Sequence, residues 1–118
     1  MTTDSVTRAR TVQLTTRGRK SGQPRMVKIW FVVAGPHSIY VQHTNPKPAD
    51  WYRNLAQDHA VTVDFGAGPI EGRATPISDP TKIQQILALV RRKYLAAWLF
   101  RLLGWGRAAV AAEVTFAD

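Results

Sequence analysis

The 118-residue chain contains no cysteine. That excludes a disulfide scaffold, a thiolate nucleophile and a cysteine-ligated zinc site. Long apolar runs are missing as well, since no stretch reaches the roughly 18 uninterrupted apolar residues of a membrane span. The segment Met1 to Thr7 lacks the apolar core of a signal peptide, so a soluble cytoplasmic protein is the expectation. Acids are scarce: eight Asp and Glu stand against 16 Lys and Arg, for a formal charge of +8. None of them forms a recognisable general acid/base pair. Asp50 and Asp79 read as helix caps, and Ser21 has no histidine and acid arrangement of a hydrolase triad. His37, His43 and His59 stand far apart with no carboxylate at ligand spacing, so no metal site is expected.

The scarcity of acids is also uneven. From Ser5 to Ala49 there is no Asp or Glu, while Arg8, Arg10, Arg17, Arg19, Lys20, Arg25, Lys28 and Lys47 all fall there. A second acid-free run, Pro80 to Ala112, carries six more Lys and Arg. Solubilising surfaces intersperse the two signs. A field of one sign points instead to an anionic partner: a polyanionic small molecule, nucleic acid or an acidic membrane surface.

What is present reads as one globular domain, residues 1–118, with residues 1–8 expected to be a flexible N-terminal extension. β-formers from Ala9 to Thr16 predict a first strand, and Pro24 to Val33 a second that ends in the apolar run Ile29-Trp30-Phe31-Val32-Val33. Gly35-Pro36 predicts a hairpin turn, and Ser38 to His43 the returning third strand. Trp51 and Leu55 share a face of a short helix, Asp50 to Gln57. Ala60 to Phe65 and Pro69 to Ile77 predict strands four and five around Gly66-Ala67-Gly68. Asp79-Pro80 starts a second helix whose apolar face is Ile83, Ile86, Leu87, Val90 and Tyr94. Ala108 to Phe116 predicts the closing strand. Six hairpin-linked strands and two helices give a mainly β (α+β) fold, an antiparallel sheet closed into a small barrel.

Arg17-Gly18-Arg19-Lys20-Ser21-Gly22 carries the most chemistry. Gly18 and Gly22 would permit positive φ, letting successive amides point at one anion. Arg19 adds a bidentate fork, Lys20 a point charge and Ser21 a hydroxyl, a set that suits a phosphate. A solvated, solubilising hairpin loop is the plain alternative. The four tryptophans divide similarly: Trp30 reads as core, and Trp51, Trp98 and Trp105 as pocket wall or dimer contact. The apolar, aromatic segment 94–107 either packs against the barrel, the simpler reading, or lies on a membrane surface.

Leu14-Thr15-Thr16-Arg17-Gly18-Arg19-Lys20-Ser21-Gly22-Gln23-Pro24-Arg25 resembles the opening motif of the deazaflavin-dependent nitroreductase and quinone reductase family. Trp51-Tyr52-Arg53-Asn54-Leu55 resembles that family's second signature. The resemblance implies a split β-barrel related to the pyridoxamine phosphate oxidase and flavin-reductase folds. It also implies coenzyme F-420, a deazaflavin with a phosphate and an oligoglutamate tail, as the cofactor. Carried over by position, it places Arg19, Lys20, Ser21 and Gly22 at the phosphate and Arg25 near the anionic tail. Val41-Gln42-His43-Thr44-Asn45 would line the pocket at the end of the third strand, with Trp51 and Asn54 beside it. His43 or Tyr94 would supply a proton as a catalytic residue. The implied reaction is hydride transfer to a quinone or nitroaromatic-like acceptor, in a homodimer. This chain departs from the family pattern at Lys28, which replaces a usual proline, and in the loop His43 to Pro48. FMN, haem or a fatty acyl ligand, held without this catalysis, remains the alternative, and a basic nucleic-acid module a more distant one.

Overall fold

The computed structural model describes residues 11–43, 50–93 and 110–116. Thr44, Asn45, Tyr94, Trp98 and Trp105, on which several of the readings above fall, lie outside the described residues, as does the segment 94–107.

Six strands close into one antiparallel barrel in the order β1-β2-β3-β6-β5-β4. They are β1 (Thr11–Arg17), β2 (Pro24–Gly35), β3 (Ser38–His43), β4 (Ala60–Asp64), β5 (Pro69–Ile77) and β6 (Val110–Phe116). Helix α1 (Asp50–Gln57) joins β3 to β4, and α2 (Pro80–Lys93) joins β5 to β6. Hairpins set the registers β1–β2, from Arg17 opposite Pro24 to Thr11 opposite Trp30, and β4–β5, from Asp64 opposite Pro69 to Ala60 opposite Arg73. Pairing of β1 with β4, Leu14 opposite Val63, closes the barrel and removes its open edges.

Alternation along the strands separates two apolar clusters. Val12, Leu14, Ile29, Phe31, Ile39, Val41, Val61, Val63, Val114 and Phe116 fill the interior. Phe31 and Phe65 meet edge to face there, with ring centroids 5.2 Å apart. The opposite faces of β2 and β6 supply Val32 and Ala111, which α2 covers with Ile83, Ile86 and Val90. Trp30, expected in the core, is half-buried against this outer cluster because it alternates with Ile29 and Phe31. Helix α1 packs against β1, β5 and β6 and contributes Trp51 and Leu55 to the interior cluster.

The predicted elements differ from the observed ones mainly at their ends. Strand β2 runs on through Gly35 because a bulge between Val33 and Gly35 lets Gly35 pair with Ser38. The reversal is therefore at Pro36-His37 and not at Gly35-Pro36. Strand β1 extends to Arg17, held by its pairing with Pro24, and β4 stops at Asp64. The Asp64 carboxylate accepts the amides of Gly66 and Gly68, which folds the chain out of the ladder. Asp79 behaves as a cap: its carboxylate accepts Thr81 N–H and its carbonyl accepts Ile83 N–H. Asp50 does something else, described below.

Candidate functional site

The basic turn between β1 and β2 is a closed loop stitched by its own backbone. Gly18 N–H donates to Gln23 O at 2.8 Å and Gly22 N–H to Gly18 O at 2.8 Å. Gly22 has φ of +72°, which L residues adopt at a cost. Gly18 does not have positive φ; it is glycine for want of space. A Cβ there would stand 2.7 Å from Ser21 Oγ and 3.2 Å from Gln23 O. Ser21 Oγ in turn accepts Gln23 N–H at 3.1 Å, so the hydroxyl is oriented rather than free to rotate.

A polar staple fastens this turn to α1. Asn54 is 3% exposed, and both polar atoms of its side-chain amide are engaged. Its Oδ1 accepts Arg19 N–H at 3.2 Å and Arg19 Nη1 at 3.0 Å, while its Nδ2 donates to Thr16 Oγ1 at 3.2 Å. Thr16 is itself buried at the end of β1. The other guanidinium nitrogen of Arg19, Nη2, lies 3.4 Å from Asp50 Oδ1. Arg19 and Asn54 therefore hold the architecture of the site, with Arg19 also bordering its cavity.

Turn and helix together enclose a cavity of about 670 Å³. Lys20, Ser21 and Arg25 line one side, Asp50, Trp51 and Asn54 the other, and Met26 and Val27 add an apolar strip. The amides of Gly18, Arg19, Gly22 and Gln23 are consumed within the protein. Those of Lys20 and Ser21 have no partner among the described residues, so two consecutive donors remain for an anion. Trp51 is 5% exposed, and its Nε1–H has no partner among the described residues. A buried orphan donor is costly; Trp51 lines the cavity, but this nitrogen is buried behind its wall.

On the other flank of the turn a second groove is lined by Arg17, Lys20, Gly22, Asp58, His59 and Arg73 among others. Gly22 thus borders this groove and not the first cavity. Arg17 Nε lies 3.7 Å from Asp58 Oδ2, an exposed pair of little energetic weight. His59 Nδ1 is buried with no partner among the described residues.

The structure thus brings Arg19, Lys20, Ser21, Arg25, Trp51 and Asn54 together around one cavity. Val41 points into the barrel interior, and Gln42 is buried on the outer face, donating from Nε2 to Ile83 O at 3.1 Å. Neither borders the cavity. His43 ends β3 opposite Val110, and its side chain is outside the described residues. Sequence reasoning misses Asp50 as a cavity residue, because its neighbour Arg19 is 31 positions away. Among the described residues no three His, Asp or Glu side chains gather as a metal site. None of the described helices is long and apolar enough to cross a membrane.

The family model of the F420H(2)-dependent quinone reductases matches residues 2–97. The chain belongs to this family. Its members are oxidoreductases dependent on coenzyme F-420, and that coenzyme is the cofactor of this quinone reductase family member. No curated protein matches by sequence. Solved structures place the fold. An F420-H2-dependent reductase superimposes with a TM-score of 0.67 at 21% identity, over 89% of this chain and 93% of its own. A proposed 5-nitroimidazole antibiotic resistance protein from Bacteroides thetaiotaomicron gives 0.69 at 14% identity, over 98% and 78%. A protein described as a pyridoxamine 5'-phosphate oxidase from Listeria innocua gives 0.66 at 13%, over 98% and 90%. The family member is thus a six-stranded split barrel of the pyridoxamine phosphate oxidase-like type.

The residues present suit an anionic, flat cofactor. Two unpartnered consecutive amides, an oriented hydroxyl and two exposed cations suit its phosphate. A largely buried indole beside an apolar strip suits the face of a heteroaromatic ring.

Proposed function

We propose that coenzyme F-420 sits in the cavity between the basic turn and α1, and that the protein reduces a quinone or nitroaromatic-like acceptor. The observation that carries this reading is the pair of unpartnered Lys20 and Ser21 amides, flanked by Lys20, Arg25 and the Ser21 hydroxyl on one cavity wall. The bound cofactor supplies the hydride, and the protein supplies position and electrostatics. Lys20, Ser21 and the uncommitted donors of Arg19 take the phosphate, and Arg25 meets the anionic tail. Trp51 walls the ring, and Asn54 keeps turn and helix at the spacing the ring needs. Met26 and Val27 exclude water from its apolar face. His43, at the end of β3, and Tyr94 are the groups proposed to hand a proton to the reduced acceptor. A cytoplasmic homodimer belongs to the same proposal. Oxidation of reduced F-420, followed by absorbance with a soluble quinone and with a nitroaromatic, tests the acceptor. Turnover with either supports the reading. Cofactor binding without turnover on both classes overturns the acceptor assignment.

A further inference from the structure

Among the described residues, Asp50 is the one carboxylate that lines the cavity. In sequence it ends the acid-free stretch that begins at Ser5, so it places a negative charge where the rest of the wall is positive. Its side chain is 81% exposed, and it approaches Arg19 Nη2 to 3.4 Å. An ion pair that open contributes little to stability. The place of Asp50 in the first turn of α1 suits the helix dipole, but it does not act as a cap, since its side-chain partner is Arg19 and not an α1 amide. Arg19 cannot readily turn away from it, because Arg19 N–H and Nη1 are both held by the buried Asn54.

A fixed carboxylate beside an anion site repels the ligand in proportion to the ligand's charge. Phosphates differ in that charge. A phosphomonoester such as that of FMN carries about −1.5 to −2 at neutral pH, whereas a phosphodiester carries a single negative charge. The phosphate of coenzyme F-420 is a diester, linking the ribityl chain to the tail. We infer that Asp50 is a charge filter at the phosphate position, admitting a phosphodiester monoanion and disfavouring a phosphomonoester dianion such as that of FMN. This rests on the reading that the phosphate lies in this cavity. Freeing Arg19 from Asp50 would likewise favour the more highly charged ligand, so the ratio of their affinities reads the net charge that Asp50 sets beside the phosphate.

The probes are FMN and its phosphate methyl ester, which share a ring and differ by one charge. Each is titrated at pH 8 by flavin fluorescence into the wild-type chain, Asp50→Asn and Asp58→Asn. Asparagine keeps the side-chain size and removes the charge, so α1, anchored by Trp51 and Leu55 in the interior cluster, should be retained. Asp58 does not line this cavity and controls for net charge. At surface dielectric and ordinary salt, one ligand charge near Asp50 should be felt as about a threefold change in affinity. The expected result is a wild-type preference for the methyl ester that falls about threefold in Asp50→Asn and holds in Asp58→Asn. An unchanged ratio, an equal fall in Asp58→Asn, or FMN excluded from the wild type and Asp50→Asn alike overturns the filter. F-420 is titrated in parallel: its failure to bind the wild type sinks the cofactor reading and the filter together. Binding of F-420 with an unaltered flavin ratio sinks the filter alone.

Discussion

The two helices are fixed to the same barrel by different physics. Helix α2 lies on the outer face and is held by aliphatic packing, Ile83, Ile86 and Val90 on Val32 and Ala111. Helix α1 sends Trp51 and Leu55 into the interior cluster, and adds a polar staple through Asn54 to Arg19 and Thr16. Apolar packing is non-directional and tolerates small slides. A satisfied, buried hydrogen-bond network fixes one geometry. The difference teaches that α2 serves stability, whereas α1 serves the position of a cavity wall relative to the basic turn.

The comparison can be broken most forcefully in the apolar layers. Leu55→Ala and Ile86→Ala each empty a buried leucine- or isoleucine-sized volume and should cost about 2–5 kcal/mol in urea unfolding. Only Leu55→Ala should also weaken F-420 binding in the protein that remains folded. Equal loss of binding in both would erase the distinction between the helices. Asn54→Ala comes next, with about 1–3 kcal/mol of destabilisation from the buried donors and acceptors it strands. Its binding defect should exceed its effect on stability, as seen by comparing F-420 titration with thermal unfolding. Gly18→Ala is smaller. Its Cβ must push Ser21 Oγ aside, so about 1 kcal/mol of stability and a few-fold loss of cofactor affinity are expected. The smallest effect is Arg17→Ala, which removes an exposed pair with Asp58 and should cost no more than about 0.5 kcal/mol. A larger loss would show that the second groove is structurally coupled to the first.

Much of the barrel is legible in the chain. Alternation at Val12, Leu14 and at Ile29, Phe31 marks strands and their inner faces, and Asp79-Pro80 marks the start of α2. Residue type alone marks the basic turn as a candidate anion site, with a solvated loop as the alternative. Other features are not readable. Trp30 belongs to the outer cluster, which depends on α2 folding back over β2, an encounter between distant segments. Gly18 reads in sequence as a conformational requirement, but its reason is the approach of Ser21 Oγ, visible only in three dimensions. The pairing of Arg19 with Asn54 and Asp50 joins residues more than 30 positions apart, so sequence cannot separate the arginine's structural duty from the ligand duty proposed for it. Local signals carry local structure; the staple is a tertiary fact.

The exposed cations of the turn are held to grip the cofactor, while the staple merely places them. Titration of F-420 into the wild type and into Lys20→Ala/Arg25→Ala, with urea unfolding of each, tests this most directly. Both side chains are exposed, so stability should change by less than about 0.5 kcal/mol. Removing each charge-assisted hydrogen bond should cost about 1.5–3 kcal/mol of binding, a weakening of at least tenfold that diminishes as salt is raised. Affinity equal to the wild type, in a protein that is equally stable, would contradict the account.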